Sequence, residues 1–424
     1  MKHITKILAL VIVGLALLSL FGWMSYHISK QDRDFGFLTE PIKKLYSFPD
    51  LFVESVEEAK TLGLPKTFMR TPEEFDPINN LEKDLFVLSA YSDTGNSRTV
   101  AVINLKNDSI LHKWTFNEPI LEYERTVHPL LLPGKGLVYS LNGKNLVRVD
   151  SASNVVWEQN TIWPHHSKEL DSDGNIWLST YPAIFQFTGE YRVNGRSFYF
   201  KDEFLTKVDA ATGEILFQKS IADILRENGL SSYLLKSETP DDPIHTNDVE
   251  PALKTTEFYQ QHDLFISTKQ MSAIIHYRPS TNQVVNVIEG PFVGQHDVDF
   301  YGDSSLVFFN NNYHMSASSA EPSIQEPSKV ADAGDIYSSI VRYDFATDSC
   351  SLLEADVFTQ HRIFSRTEGL IDFYEPNTCF LEQQNAGVLW VIKENEVVYK
   401  NVLRSFHDGY HHLPNWTRIV KNWH

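Results

Sequence analysis

The chain has 424 residues, with 37 Lys+Arg against 55 Asp+Glu for a formal charge of −18; 22% of residues are charged and 42% hydrophobic. That balance belongs to a folded body and excludes wholesale disorder. An acidic chain without a concentrated basic stripe also excludes nucleic acid as a partner, because phosphate binding needs many cationic contacts.

The amino terminus departs from the soluble pattern. From Ile7 to Tyr26 the sequence reads ILALVIVGLALLSLFGWMSY with no charge. Twenty helical residues span about 30 Å, the thickness of a bilayer's hydrocarbon core. Lys2 and Lys6 precede the run, and Trp23 and Tyr26 stand where an interfacial aromatic belt falls. No A-x-A-like exit follows Phe21, so an uncleaved signal anchor is favoured over a cleaved signal. The expectation is a single-pass membrane protein, N-terminus cytoplasmic, with its body on the periplasmic or other extracytoplasmic side. The basic flanks set that orientation only weakly, since Lys30 and Arg33 follow the run. Residues 1–30 form the anchor and 31–80 a stalk or linker, helical in composition around Val53 to Leu62.

From residue 81 to 403 short apolar segments alternate with Gly, Asn, Asp and Ser, the chemistry of strands and turns. A loose unit recurs, in which a strand and a turn lead to a second strand, often ending in an aromatic. Leu146–Asp150 with Val155–Trp157 is one copy, and Leu205–Asp209 with Ile215–Phe217 another. Thr99–Trp114, Ile274–Val287, Ile340–Leu353 and Val388–Tyr399 are weaker copies. The Asp or its substitute starts each turn by accepting local amides, and Gly213 can take positive φ. Six copies fit radial blades, so the expected class is an all-β, six-bladed β-propeller behind an N-terminal transmembrane signal-anchor helix. A β-sandwich or two stacked all-β domains is the alternative. Ser220–Tyr233 is expected to be helical, Tyr313–Asp335 a mobile loop or lid, and residues 404–424 a C-terminal tail packed on the propeller.

Among sixteen histidines, three clusters open strands that begin new repeats: His165-His166, His245 in PIHTNDVEPAL, and His296 in GPFVGQHDVDF. A single histidine in such a place is ordinarily a bonded turn or core residue. Recurrence at equivalent strand starts changes the weighing, because those starts converge around a propeller's axis, and imidazole suits nucleophilic or proton-transfer work near neutral pH.

PIHTNDVEPAL, DLFISTKQMSAIIHYRPSTNQVV and EGPFVGQHDVDF with FFNNN resemble the bacterial arylsulfotransferase (aryl sulfate sulfotransferase) family. HHSKELDSDGNIWL and LEQQNAGVLWVIKENEVVY are similar to its blade motifs. The resemblance covers roughly residues 85 to 403 and is densest between 243 and 312. It implies a six-bladed propeller that moves a sulfuryl group from a phenolic sulfate ester to an acceptor phenol, without a nucleotide sulfate donor. Carried over by residue, it makes His296 the nucleophile that is transiently sulfated, assisted by His245 and by His165 or His166, with His165 favoured. It places Lys269 and Asn247 in contact with substrate. The family has arginine where Lys269 stands; lysine keeps the charge and loses the planar fork, so weaker sulfate orientation or a different donor is expected. The implied partners are an aryl sulfate, a phenolic acceptor and the membrane. There is room for a homo-oligomer or a membrane complex.

No cofactor and no metal is expected. Asp171-Ser-Asp-Gly-Asn175 opens like a calcium loop, but Pro182 stands where its bidentate acid belongs, and a hairpin turn is preferred. His407, His411 and His412 have helical spacing without a completing acid or thiol. Cys350 and Cys379 are read as unpaired, buried thiols, although one bridge stays open. Asn107 and Asn415 match glycosylation acceptors, and no phosphate cradle or serine nucleophile elbow is present.

Overall fold

The computed structural model describes residues 2–29, 33, 35–46, 48, 64, 67–92, 98–116, 126–141, 144–181, 187–237, 239–313, 336–421 and 423. It divides into two units, residues 1–64 and 65–424. In the first, Lys2–Ser29 is one continuous helix. Its stretch Leu8–Ser29 has a mean hydropathy of 2.3 and is long and apolar enough to cross a membrane. Most of its side chains point outward, Leu10 at 72% exposure and Leu18 at 67% among them. A membrane span and a signal sequence both fit that pattern. A short amphipathic helix, Thr39–Tyr46, follows. The stalk helix expected around Val53 to Leu62 lies outside the described residues, as does all but the first residue of the Tyr313–Asp335 insertion.

The second unit is a ring of six antiparallel sheets, each running from an inner to an outer strand. Blade 2 is built in chain order from Thr126–Leu132, Gly136–Leu141, Lys144–Val149 and Val155–Gln159. Blades 3 to 6 start on Trp163–Leu170, Thr246–Pro251, His296–Phe300 and Leu370–Glu375. Successive inner strands touch, which closes the circle. The six recurring units of the sequence are the third and fourth strands of the six blades. Their turns work as the composition implies: Asp150 Oδ1 accepts the amides of Ala152 and Asn154 at 2.8 and 2.9 Å, and Asp209 Oδ1 those of Ala211 and Thr212 at 2.7 and 2.8 Å.

Burial explains why the inner segments lack alternation. Arg98–Asn104, Leu264–Thr268 and Ser305–Asn310 are buried throughout, sandwiched between neighbouring blades, so both of their faces need cover. Outer strands such as Ile215–Ser220 alternate between covered and solvent-facing side chains.

Two expected boundaries fall elsewhere. Asn415–Ile419, expected within a packed tail, is the inner strand of blade 1, paired with Phe86–Ser92 and followed outward by Arg98–Asn104 and Ser109–Thr115. The last strand of the chain therefore closes the ring, a role invisible in a five-residue segment with little apolar content. At the other end, Ile78–Asn79 adds a fifth, outermost strand to blade 6, and Phe68–Arg70 pairs with Tyr410–His412. The propeller unit thus begins before residue 81. Ser220 caps the helix Ile221–Glu227, its hydroxyl accepting the Asp223 amide at 2.9 Å. Both thiols are free, with Cys379 buried.

All inner strands run away from one end of the ring. The links between blades and the loops between second and third strands gather at that end. The hairpin Gly189–Val193/Arg196–Phe200 and the Ile221–Glu227 helix both belong to such connections.

Candidate functional site

At the entrance of each inner strand the backbone passes through the left-handed region at a residue other than glycine: His128 (φ 48°), His166 (54°), His245 (48°), Asp297 (56°), Glu368 (60°) and Trp416 (57°). In five blades the pairing slips at this point, between Val127 and Leu130, His165 and Lys168, Thr246 and Asp248, His296 and Val298, and Asn415 and Arg418. Such bulges re-aim side chains, and a conformation that costs about 1–3 kcal/mol at each site persists only where surrounding structure enforces it. Here they turn consecutive side chains of the inner strands toward the axis.

The result is a histidine cluster drawn from four blades. Ring centroids of His165 and His166 lie 4.1 Å apart, those of His165 and His245 4.9 Å, and those of His166 and His296 5.9 Å. His166 Nε2 sits 3.4 Å from His245 Nε2. His128 is 5.2 Å from His166 and stacks on Trp416 at 3.9 Å. Carboxylates back the cluster. Asp242 Oδ2 is 2.7 Å from His245 Nδ1, and Glu203 Oε1 is 3.0 Å from His165 Nδ1. Glu203 Oε2 also accepts the Thr246 amide at 2.7 Å and the Ser179 hydroxyl at 3.1 Å, which locks blades 3 and 4 together.

Burial holds the His245 imidazole below its ordinary pKa against the pull of Asp242. It holds His166 well below, with the neighbouring histidines adding to the effect. Asp242 stays ionised at a pKa of about 2: burial opposes this, and the His245 and His165 charges outweigh it.

His296 is wholly buried. Its Nδ1 lies 2.6 Å from Asn311 Oδ1 and 3.0 Å from the Gly294 carbonyl, two acceptors that require this nitrogen to carry the proton. Nε2 therefore holds the lone pair, and it accepts the Glu368 amide at 3.2 Å. Asn311 is fixed in turn, its amide donating to the Ser365 and Glu368 carbonyls at 2.7 Å each. Burial, then the Lys269 charge, drives the His296 pKa well below the usual value, so the ring is neutral at physiological pH. Gly294 makes the approach feasible: at φ +67° a side chain there would place its Cβ 2.6 Å from the Tyr313 carbonyl oxygen.

Lys269 lies at the end of the second strand of blade 4, its amide bonded to the His245 carbonyl at 3.0 Å. It is 9% exposed, and its pKa is lowered first by burial, with the Glu368 and Asp242 charges opposing. The charge of Arg366, from the link before blade 6, lowers it as well. Asn247 stands apart from the cluster. It is fully buried and its amide donates to the Gln295 carbonyl at 2.8 Å, which ties the His245 bulge to the turn before His296.

One layer further along the axis the inner strands contribute Glu169, Asp248, Asp297 and Asp299, whose charges act on Arg418, and Glu250 and Asp372, on which Arg418 acts. The guanidinium is 2.7 Å from Glu169 and 2.8 Å from Asp297. Burial raises the Glu169 carboxyl to about 8 and Asp299 to about 7, with Arg418 opposing in both cases. Lys168, buried beside the His128 carbonyl at 3.3 Å, falls to about 7.

The structure thus brings His165, His166, His245, His296 and Lys269 together. Sequence reasoning missed His128, Glu203, Asp242, Asn311, Glu368 and Arg418. His128 opens the inner strand of blade 2 and obeys the same rule as the other histidines. The remaining five come from links and strand ends whose convergence depends on the ring. Asp171 forms the expected hairpin turn, its Oδ1 accepting the Asp173 and Asn175 amides at 2.9 Å each. His411 is on a strand rather than a helix, with Thr71 Oγ1 at 2.9 Å and the Ala386 carbonyl at 3.0 Å.

Among solved structures, a protein of unknown function from Bacteroides caccae is similar at 10% identity and a TM-score of 0.47, over 74% of this chain and 93% of that one. Virginiamycin B lyase from Staphylococcus aureus is similar at 10% identity and a TM-score of 0.41, over 80% and 88%. No curated protein matches the chain. The family model described as Arylsulfotransferase (ASST) matches residues 128–402, a span that opens on His128 and takes in the other four histidines of the axial cluster. With well over half its length matched, the chain belongs to the arylsulfotransferase family.

Proposed function

We propose that the protein transfers a sulfuryl group from a phenolic sulfate ester to an acceptor phenol through a sulfohistidine at His296. The observation that carries the reading is the state of that imidazole: neutral, with the proton fixed on Nδ1 by Asn311 and Gly294 and the lone pair on Nε2. In the first step Nε2 attacks sulfur, the S–O bond to the aryl group breaks, and the phenolate leaves with a proton from His245 in its imidazolium form, which Asp242 stabilises, or from the protonated nitrogen of His166. In the second, that base takes the acceptor's proton, the phenol oxygen attacks sulfur, and the S–N bond breaks. Lys269, with Arg366 beside it, supplies cationic charge for the non-bridging oxygens, which stay anionic throughout. Asp242 keeps His245 in one tautomer while the proton moves. An uncleaved helix Lys2–Ser29 would hold this chemistry at a membrane, on its extracytoplasmic side.

A non-catalytic, membrane-tethered propeller that binds a protein partner or anionic ligand is the second reading. It draws on the complete burial of His296 and the Glu368 amide on its lone pair. Intact mass after mixing with an activated aryl sulfate separates the two. A gain of one sulfuryl group, absent from His296→Asn and discharged by added phenol, supports transfer. No adduct and no phenol release across several donors supports binding.

A further inference from the structure

We infer that His165, His166 and His245 form a binding site for a zinc-class divalent cation, independently of sulfuryl transfer. One ring nitrogen from each of the three lies within 4.8 Å of the others. The closest pair, Nε2 of His166 and Nε2 of His245, are 3.4 Å apart. Two imidazole nitrogens on a tetrahedral zinc at about 2.0–2.1 Å are separated by about 3.3–3.4 Å, so this edge is already at coordination length. As a hydrogen bond the same contact is long, and because Nδ1 of His245 is committed to Asp242, its Nε2 carries a lone pair that a cation could take.

The surroundings complete the chemistry. A metal-bound histidine commonly gives its other ring nitrogen to a carboxylate, which fixes the tautomer and raises ligand basicity. Asp242 serves His245 in this way at 2.7 Å, and Glu203 faces His165 at 3.0 Å. Those two carboxylates also balance a divalent charge. All-nitrogen donors select zinc, cobalt or copper over magnesium and calcium, which prefer oxygen. Access is open on one side, since the His165 and His245 side chains are 17% and 21% exposed, whereas His296 is sealed beneath them. Three protein ligands leave a fourth position for water or an anion. A cation held there occupies the nitrogens that the proposed transfer uses for proton movement, so zinc would inhibit that reaction.

The test uses the full-length chain in detergent, stripped with chelator and titrated with Co2+, whose four-coordinate complexes give intense visible bands, and then with Zn2+ in competition. We expect one equivalent bound, with affinity at least tenfold weaker in His166→Ala and in His245→Ala, and about 10–100-fold weaker in Asp242→Asn. His296→Asn should bind as the native chain does, whether or not sulfuryl transfer occurs, which separates this inference from the catalytic reading. Circular dichroism and thermal unfolding check that each variant is folded. Absence of a stoichiometric band in the native chain overturns the inference. So does binding that survives unchanged in the folded His166→Ala/His245→Ala double variant, because the ion would then sit elsewhere, such as at Asp171, Asp173 and His262.

Discussion

At the scale of single residues, second partners decide what each imidazole can do. Asp242 raises the His245 pKa against its burial, so Asp242→Asn should lower that pKa further and move the alkaline limb of kcat/KM for the aryl sulfate to lower pH. We expect kcat to fall about tenfold or more with KM little changed, measured as steady-state transfer across pH. Lys269 offers charge without a bidentate fork, and Lys269→Arg should lower KM for the aryl sulfate severalfold; a rise in KM would mean that Arg366 already fills that role. That His245, His296 and Lys269 come together was legible in the sequence because each sits in a recognisable run of residues. The weighing between His165 and His166 turns on geometry instead. His166 contacts both His245 and His296, while His165 is paired with Glu203. Adjacent residues in an ordinary strand face opposite sides, and only the bulge, with His166 at φ 54°, brings both to the cluster.

At the scale of elements, the outer hairpins carried the sequence signal and the inner strands concealed it. Third strands lead through turns begun by Asp or a substitute into exposed, largely alternating fourth strands, so six such units could be counted. Inner strands such as His296–Phe300 (HDVDF) and Asn415–Ile419 (NWTRI) are polar because they line the axis, and their pattern is neither a core strand nor a surface one. That is why Asn415–Ile419 reads as a tail. Its side chains and backbone tie three blades together: Asn415 Oδ1 accepts the His128 amide at 3.1 Å, Glu382 accepts the Trp416 and Thr417 backbone amides at 3.1 and 2.9 Å, and the Trp416 ring stacks on His128. Trp416→Ala should cost about 3–5 kcal/mol in denaturant unfolding. Deletion of 415–419 should abolish the cooperative transition. An intact transition after that deletion would assign blade 1 a closure other than this strand.

At the scale of the whole molecule, the axis is a charged column in which the Arg418 guanidinium opposes several buried carboxylates. Burial raises Glu169 to about 8 and Asp299 and Glu382 to about 7, and it raises Glu250 and Asp297 as well. Below those values the folded state holds protons that the unfolded chain has released, so stability falls as pH rises through them. Buried neutral histidines oppose this trend below about pH 6.5, and Lys168, whose pKa falls to about 7, opposes it above. Between pH 6.5 and 8 the raised carboxylates outnumber Lys168 and Lys269, whose pKa burial also lowers. Scanning calorimetry should show the melting temperature falling by several degrees across the window. Arg418→Met should destabilise by about 3–5 kcal/mol, more at pH 8 than at pH 6, because it leaves buried carboxylates without their counter-ion. The ring's closure by Asn415–Ile419 also has a temporal meaning. A nascent chain halted at residue 410 already contains His128, His165, His166, His245, His296, Lys269 and the carboxylates that orient them. It lacks Trp416, which stacks on His128, the Arg418 guanidinium and the strand that joins the first blade to the last. Synthesis thus delivers every reactive group before the part that assembles them, and an interrupted product carries the full inventory of the site without its arrangement.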